Sequence, residues 1–421
     1  MNRQDIIVVG GGIIGVTTAY ELAQRGHRTT LLEGRDGIAL ETTYANGGLL
    51  TPSMSDPWNA PGVHRRLIAS LFDPHSPMKL RLSAIPSLSW WGLRFLRNSN
   101  AERYAVATRA SFVLGNYSVA YTRKLTTSLG LEYDAATRGI MKVFRNSHSM
   151  ISGQALAEQL APLGLRFEVL DRDGAIAAEP ALEGIREQIA GALRFPDDEV
   201  GDPFKFCEAL TVPFRHAGGE LRTGVHVSGI AIDRGKAVGV ISSAGRLRAD
   251  TVVVAAGKAT PGLVRHLGIA PPIRPVKGYT VTFDASRVEG RPAMAVIDDD
   301  LHAAIVPLGT RLRVAGTAEF AGEDLRLSPE RIENLLKLLS AIYPRIAAQL
   351  DLAGGHAWTG LRPMSADGLP FVGATRVPGL YINAGHGHLG WTLASGSAHL
   401  VADLIAGGLT EIDPEPYRAT R

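Results

Sequence analysis

The sequence predicts an α/β protein, a discontinuous Rossmann-like domain plus an α+β domain with a mainly antiparallel sheet. Three observations predict it. Residues 5–33 read as strand, glycine turn, helix and strand; residues 251–255 form a valine-dominated run; residues 379–407 read again as strand, glycine loop and helix. In the first unit, Ile6 to Val9 is an apolar strand, and Gly10, Gly12 and Gly15 give G-x-G-x-x-G where strand becomes helix. Gly10 suits the tight turn, Gly12 lets the backbone approach a pyrophosphate, and Gly15 lets the helix lie close on the strand. Free N–H groups at the helix start, with the positive dipole end behind them, then face the phosphates. Glu33 closes the second strand where a carboxylate is needed for a ribose hydroxyl. These parts fall in register, so the stretch is a dinucleotide site rather than a chance glycine-rich turn.

A chain of 421 residues exceeds one simple core and suggests about two domains. Hydrophobic residues at 45% and charged residues at 20% suit a globular enzyme. The net charge of +3 is too small for a nucleic-acid binder, which shows a clustered basic face. Cys207 stands alone, so no internal disulfide forms, and a buried small residue is its plainest role. Residues 6–20 are broken by the glycines and followed by Glu21, unlike a signal peptide. No stretch reaches the roughly 18 apolar residues of a spanning helix. A cytoplasmic protein is expected, with any membrane contact peripheral at the inner face.

Past Glu33, the loop GRDGIALETTYANGGLLTPS has the small polar residues of a backbone that wraps a ligand, making Thr42, Thr43 and Asn46 candidate contacts. An ordinary surface loop fits its composition equally well. Residues 61–97 carry Arg65, Arg66, Lys79, Arg81, Arg94 and Arg97 with Trp90 and Trp91 against one acid, Asp73. Such a segment can lie on an anionic bilayer, though solvated basic residues around a packed Trp pair are the preferred reading. Residues 101–130 look helical, and strands are expected at 139–144 and 191–195. A helix follows Asp202, which caps it. Residues 225–257 alternate in period 2 like antiparallel hairpins and end in Thr251 to Ala255, the signature of a buried parallel strand. The sheet opened at Ile6 is thus completed about 250 residues later. Residues 272–345 supply further strands and a helix. The boundaries that follow are 1–85, 203–271 and 356–421 for the nucleotide domain, and 86–202 and 272–355 for the substrate domain.

One glycine fingerprint does not separate NAD from FAD. A nicotinamide dehydrogenase usually has compact βαβ units in its first half. Here three distant segments, 10–33, 251–257 and 379–407, look built for one nucleotide, and FAD held along its whole length accounts for that dispersal. The helix start near His386 to Thr392 can aim N–H groups at the charge that builds up on a reduced flavin. A plain strand-to-helix turn is the alternative.

The chain resembles the bacterial FAD-dependent D-amino-acid dehydrogenases, within the superfamily of D-amino-acid oxidase, glycine oxidase and sarcosine oxidase. The matching stretches are VVGGGIIGVTTAYELAQRGH, LETTYANGGLLTPSMSDPWNAPGV, PVKGYTVT, WTGLRPMSADGLPFVG and INAGHGHLGWTLASGS, which together span nearly the whole chain. The resemblance implies that Arg362, in GLRPM, takes the substrate carboxylate, which a guanidinium fork can grip bidentately. Without it, a buried salt bridge would be the plainer role. Tyr279, in KGY, is implied beside the substrate, with core packing an equal alternative and Lys277 a weaker candidate. Around a noncovalent FAD the resemblance implies Gly10, Gly12, Ile13, Ile14 and Gly15 at the turn, with Glu33, Gly34 and Arg35 after the second strand. It adds Thr42, Thr43, Asn46, Gly47, Gly48 and Leu49 in the wrapping loop, then Val227, Ala256 and Gly257. Gly360, Arg362, Gly387, His388, Leu389, Gly390 and Thr392 complete the set.

The implied reaction moves hydride from Cα of a D-amino acid to flavin N5, and water then releases the 2-oxo acid and ammonia. A quinone or other respiratory carrier takes the electrons. No side-chain base is required if the amine arrives neutral, and solvent-facing loop positions are the plainer reading of His386 and His388. Alternatives are a D-proline or hydroxy-D-proline dehydrogenase, an oxygen-using glycine or sarcosine oxidase, a flavin module serving a partner subunit, and an NAD enzyme.

Overall fold

The computed structural model describes residues 3–70 and 76–421, Arg66 being placed in backbone only. Asp5–Val9 sits inside a six-stranded sheet. It pairs in parallel with Arg28–Leu32 on one side and with Thr251–Val254 on the other, Ile6 opposite Thr251. Leu380–Ala384 joins Thr251–Val254, again in parallel, and Phe371–Ala374 and Glu220–Arg222 form the edges. All four residues of Thr251–Val254 are buried, which is why that strand reads as unbroken valine rather than as an alternating pattern. The helices Ile13–Gln24, Pro203–His216 and Gly390–Ala406 cover one face, with the 29-residue helix Ala101–Leu129 packed outside them. A three-stranded antiparallel sheet spanning Val227 to Arg248 lies over the other.

The second layer is a nine-stranded, mainly antiparallel sheet. Ile273–Asp284 lies between Arg311–Phe320 and His356–Ser365, so His356–Ser365 belongs to this sheet and not to the nucleotide sheet. Met78–Leu80 also joins it, in parallel with Arg311–Phe320. Asp202 caps its helix, its Oδ1 accepting from Phe204 N at 3.0 Å. Cys207 is free and buried. The tryptophan pair splits: Trp91 is buried and donates to the Met364 carbonyl at 3.1 Å, while Trp90 is 65% exposed under the Arg94 guanidinium. Residues 168–188 hold a strand, a helix and a 3₁₀ stretch that short, mixed patterning did not announce.

Gly15 fixes how closely the first helix lies on the first strand, since a Cβ there would come within 1.7 Å of the Gly10 carbonyl oxygen. Gly15→Ala is therefore expected to cost about 3 kcal/mol or more, by forcing helix and turn apart. Urea unfolding of the variant checks this.

Candidate active site

The glycine turn is built for close approach. Gly10 has φ +109°, and a Cβ there would meet the Ala255 carbonyl at 2.6 Å, so only glycine lets the turn and the valine strand share that space. Above Gly12, an added Cβ would meet, among the described residues beyond its chain neighbours, only Thr43 Oγ1, at 3.5 Å. Thr43 Oγ1 accepts from Ile13 N at 3.1 Å, and no side chain of Gly12 exists to cap the helix that Ile14 continues. The Glu33 carboxylate lies at this turn, accepting from Gly11 N at 2.6 Å and Arg35 N at 2.8 Å. Gly34 and Arg35 are exposed beyond it, Arg35 being paired with Glu41.

The wrapping loop ties the two layers together. Thr42 Oγ1 donates to the Leu361 carbonyl at 2.8 Å, and Asn46 folds back to accept from Gly48 N at 3.0 Å. The Asn46 carbonyl takes Arg313 Nη1 at 2.6 Å. Gly47 follows, and Leu49 pairs with Val200. Thr51 N then donates to Thr392 Oγ1 at 3.0 Å, fastening this loop to the start of the C-terminal helix. That helix, Gly390–Ala406, has neither a side-chain cap nor an acid in its first turn. Gly387, His388 and Leu389 form the 3₁₀ turn leading into it. Val227 is buried with Leu32 and Val254 on the far face of the sheet, and Ala256 and Gly257 sit just past the valine strand.

Arg362 is the centre of the second half of the site. Its guanidinium lies over the Trp58 ring at 5.5 Å and close against Gly278, where an added Cβ would come within 1.9 Å of Nη1. Gly360, two residues away, pairs with Gly278. Nη1 is buried without a hydrogen-bond partner, and among the described residues no carboxylate forms an ion pair with this arginine. Burial accordingly pulls its pKa down to about 10. His388 stacks on Trp58, with ring centroids 5.1 Å apart and an 18° tilt, and its Nε2 is 3.4 Å from the Met54 carbonyl. Burial, helped by Arg362 and opposed by Asp56, lowers its pKa to about 4. His386 is buried, not solvent-facing, with Nε2 at 2.9 Å from Ser397 Oγ.

Tyr279 does not join this cluster. Arg362 is opposite Val276 and Gly360 opposite Gly278, so strand alternation turns Tyr279 to the other face of the sheet. There its hydroxyl donates to Glu319 Oε2 at 2.6 Å inside a hydrophobic core. Lys277 also reaches that carboxylate, at 4.0 Å. Trp58, Gly278 and Met54 are contributors that the sequence did not single out, although each lies in a stretch that carries the resemblance, because only the fold brings them to Arg362 and His388.

These residues fit a flavin dinucleotide. The turn over Gly12 is open, neither the helix after it nor Gly390–Ala406 carries an acid in its first turn to repel a phosphate or a reduced flavin, and the Glu33 carboxylate stands at the turn, available to a ribose hydroxyl. The family described as FAD dependent oxidoreductase matches residues 5–404. A relative from Rhizobium johnstonii named D-amino acid dehydrogenase is 38% identical over 416 residues, covering 99% of each chain. One of the same name from Sinorhizobium medicae is 40% identical over 408 residues, 97% of each. Among solved structures, glycine oxidase from Geobacillus kaustophilus superposes with TM-score 0.77 at 25% identity, covering 100% of this chain and 99% of that one.

Burial lowers the His386 pKa from 6.5 to about 3. Below pH 6.5 the unfolded chain therefore takes a proton that the folded chain refuses, so stability falls as pH drops. His386→Asn removes this dependence. Between pH 7.5 and 5, denaturant unfolding should show wild type losing about 2 kcal/mol more than the variant, at about 1.4 kcal/mol per pH unit.

Proposed function

The chain belongs to the FAD-dependent oxidoreductase family, and from that premise we propose that it oxidatively deaminates D-amino acids to 2-oxo acids and ammonia. The observation that carries the reading is Arg362, half-buried, with a buried, unpartnered Nη1 and, among the described residues, no carboxylate paired to it. Such a group is costly to bury and is stabilised when an anionic ligand arrives. An α-carboxylate matches its fork.

FAD would be held by the Gly10–Gly15 turn, Glu33, the Thr42–Leu49 loop and the start of Gly390–Ala406, noncovalently and without a link to the single cysteine, which is buried in the helix Pro203–His216. Bound FAD supplies the two-electron acceptor for the Cα hydride. The protein's part is orientation and exclusion of water. Arg362 grips the carboxylate, Trp58 backs its guanidinium, and His388 remains neutral at working pH, offering a ring nitrogen without competing for the carboxylate. No side chain is assigned as a base, so the substrate amine must arrive neutral.

For the electron acceptor, the surface beside Arg362 favours a quinone at a membrane. On the helix Ile85–Arg97 the buried Trp91 reaches Met364, while Trp90 and Leu93, with Leu82 of the preceding 3₁₀ turn, are all more than 60% exposed, and Arg94 and Arg97 lie in the helix's last turn. An apolar row framed by cations suits the headgroup boundary of an anionic bilayer. No helix among the described residues is long and apolar enough to cross one.

Arg362→Ala is expected to lower kcat/KM for D-amino acids by about 100-fold or more while bound flavin is retained, as when one partner of a buried charge pair is removed. Anaerobic flavin bleaching checks it; unchanged bleaching would overturn the assignment. Wild type should co-float with vesicles rich in phosphatidylglycerol and not with neutral ones, and Leu93→Glu should abolish flotation with unchanged dye-coupled activity.

A further inference from the structure

A buried carboxyl group that the chemistry above does not use lies just behind the candidate site. Asp198 is 1% exposed in the turn between Gly191–Phe195 and Glu199–Val200. Among the described residues, its side-chain hydrogen bonds run to one residue. Ser53 donates through its hydroxyl to Asp198 Oδ2 and through its backbone N–H to Oδ1 at 3.4 Å. Ser53 lies in the 3₁₀ turn Pro52–Met54, whose preceding residue, Thr51, offers no side-chain cap. Asp198 therefore caps that turn from a distant part of the chain. The turn's last carbonyl, that of Met54, is the one that meets His388 Nε2, and His388 in turn stacks on the tryptophan beneath Arg362.

We propose that Asp198 is a positioning residue for the substrate pocket: through Ser53 it holds the Pro52–Met54 turn that seats His388 against Trp58 beside Arg362. The inference rests on the reading that Arg362 takes the substrate carboxylate. A structural cap alone would serve any loop, but this one ends on the residue that aims the pocket wall. Burial raises the Asp198 pKa to about 7, against the Ser53 hydrogen bonds; Asp197 adds to the rise and Arg123 opposes it. Arg123 is already paired with Glu199 and bonded to the Asp197 carbonyl, so it does not neutralise Asp198 directly. Both Ser53 hydrogen bonds are donated to the Asp198 carboxyl oxygens and favour its charged form, so protonation as pH falls through about 7 weakens the hold on the turn that seats His388 against Trp58.

The test is stopped-flow anaerobic flavin reduction across a concentration series of the D-amino acid that reduces the flavin fastest, at several pH values from about 6 to 9, spanning the pKa of about 7. For Asp198→Ala the substrate dissociation constant should rise about tenfold, the scale of one lost buried hydrogen bond, with the limiting reduction rate changed less than about threefold and flavin content unchanged. Asp198→Asn, which still accepts from Ser53, should restore wild-type affinity near neutral pH. In wild type the affinity should weaken as pH falls through about 7, and in Asp198→Asn that dependence should vanish. Unchanged affinity in Asp198→Ala, or the same pH dependence in Asp198→Asn, overturns the proposal. If Asp198→Ala does not fold, Ser53→Ala takes its place: a weakened affinity supports the proposal and an unchanged one overturns it. Arg362→Lys is the control. If it leaves substrate affinity unchanged, the carboxylate reading itself fails; if it weakens affinity while Asp198→Ala does not, only the positioning role fails.

Discussion

The structure depends on an unbalanced positive charge held away from water. Arg362 lies half-buried beside Gly278 and Trp58 with a buried, unpartnered Nη1, and the helices Ile13–Gln24 and Gly390–Ala406 begin with no acid in their first turns. Each of these features is unfavourable on its own. Together they make one region that gains free energy only when anions enter it, phosphates at one end and a carboxylate at the other. The fold tolerates the arrangement because the groups sit on rigid elements. Arg362 is on a strand of the nine-stranded sheet paired along its whole length with Ile273–Asp284, and the helix starts are anchored by parallel strands buried on both faces.

Two sheets meet along this groove, and small polar side chains from the wrapping loop fasten them. The Thr42 hydroxyl bonds to the strand carrying Arg362 and that of Thr43 to the first helix, while the Thr51 backbone N–H donates to the Thr392 hydroxyl on the last helix. Threonine suits the task, since a hydroxyl can donate or accept and its short stem loses little freedom on being fixed.

Much of this was legible in the sequence. The glycine fingerprint, the valine run and the second strand–turn–helix unit each have a local physical cause, so the discontinuous nucleotide sheet could be assembled from periodicity and glycine placement. Asp202 as a cap was legible for the same reason. What escaped was whatever depends on which face of a strand a residue takes once the strand is placed. Tyr279 and Arg362 lie on neighbouring strands, yet alternation sends the phenol to Glu319 and the guanidinium to Trp58. Trp58 and Ser53 carry no pattern of their own; they matter only because a loop brings them beside Arg362, His388 and Asp198. His386 looks like a loop histidine in the sequence because its partner, Ser397, lies two turns into the following helix.

The order of strands in the nucleotide sheet has a consequence for how the protein is made. Asp5–Val9 has a partner on one side within a few dozen residues, but its other neighbour is Thr251–Val254, and the strand beyond that is Leu380–Ala384. On the ribosome the glycine turn therefore emerges long before the strands that complete its sheet, and the parallel edge of Ile6 to Val9 stays uncovered until Thr251–Val254 has been made. Long-range parallel pairing of this kind is slow and prone to aggregation. The coenzyme can engage only near the end of translation, so its supply in the cell should decide how much nascent chain is rescued into the native state.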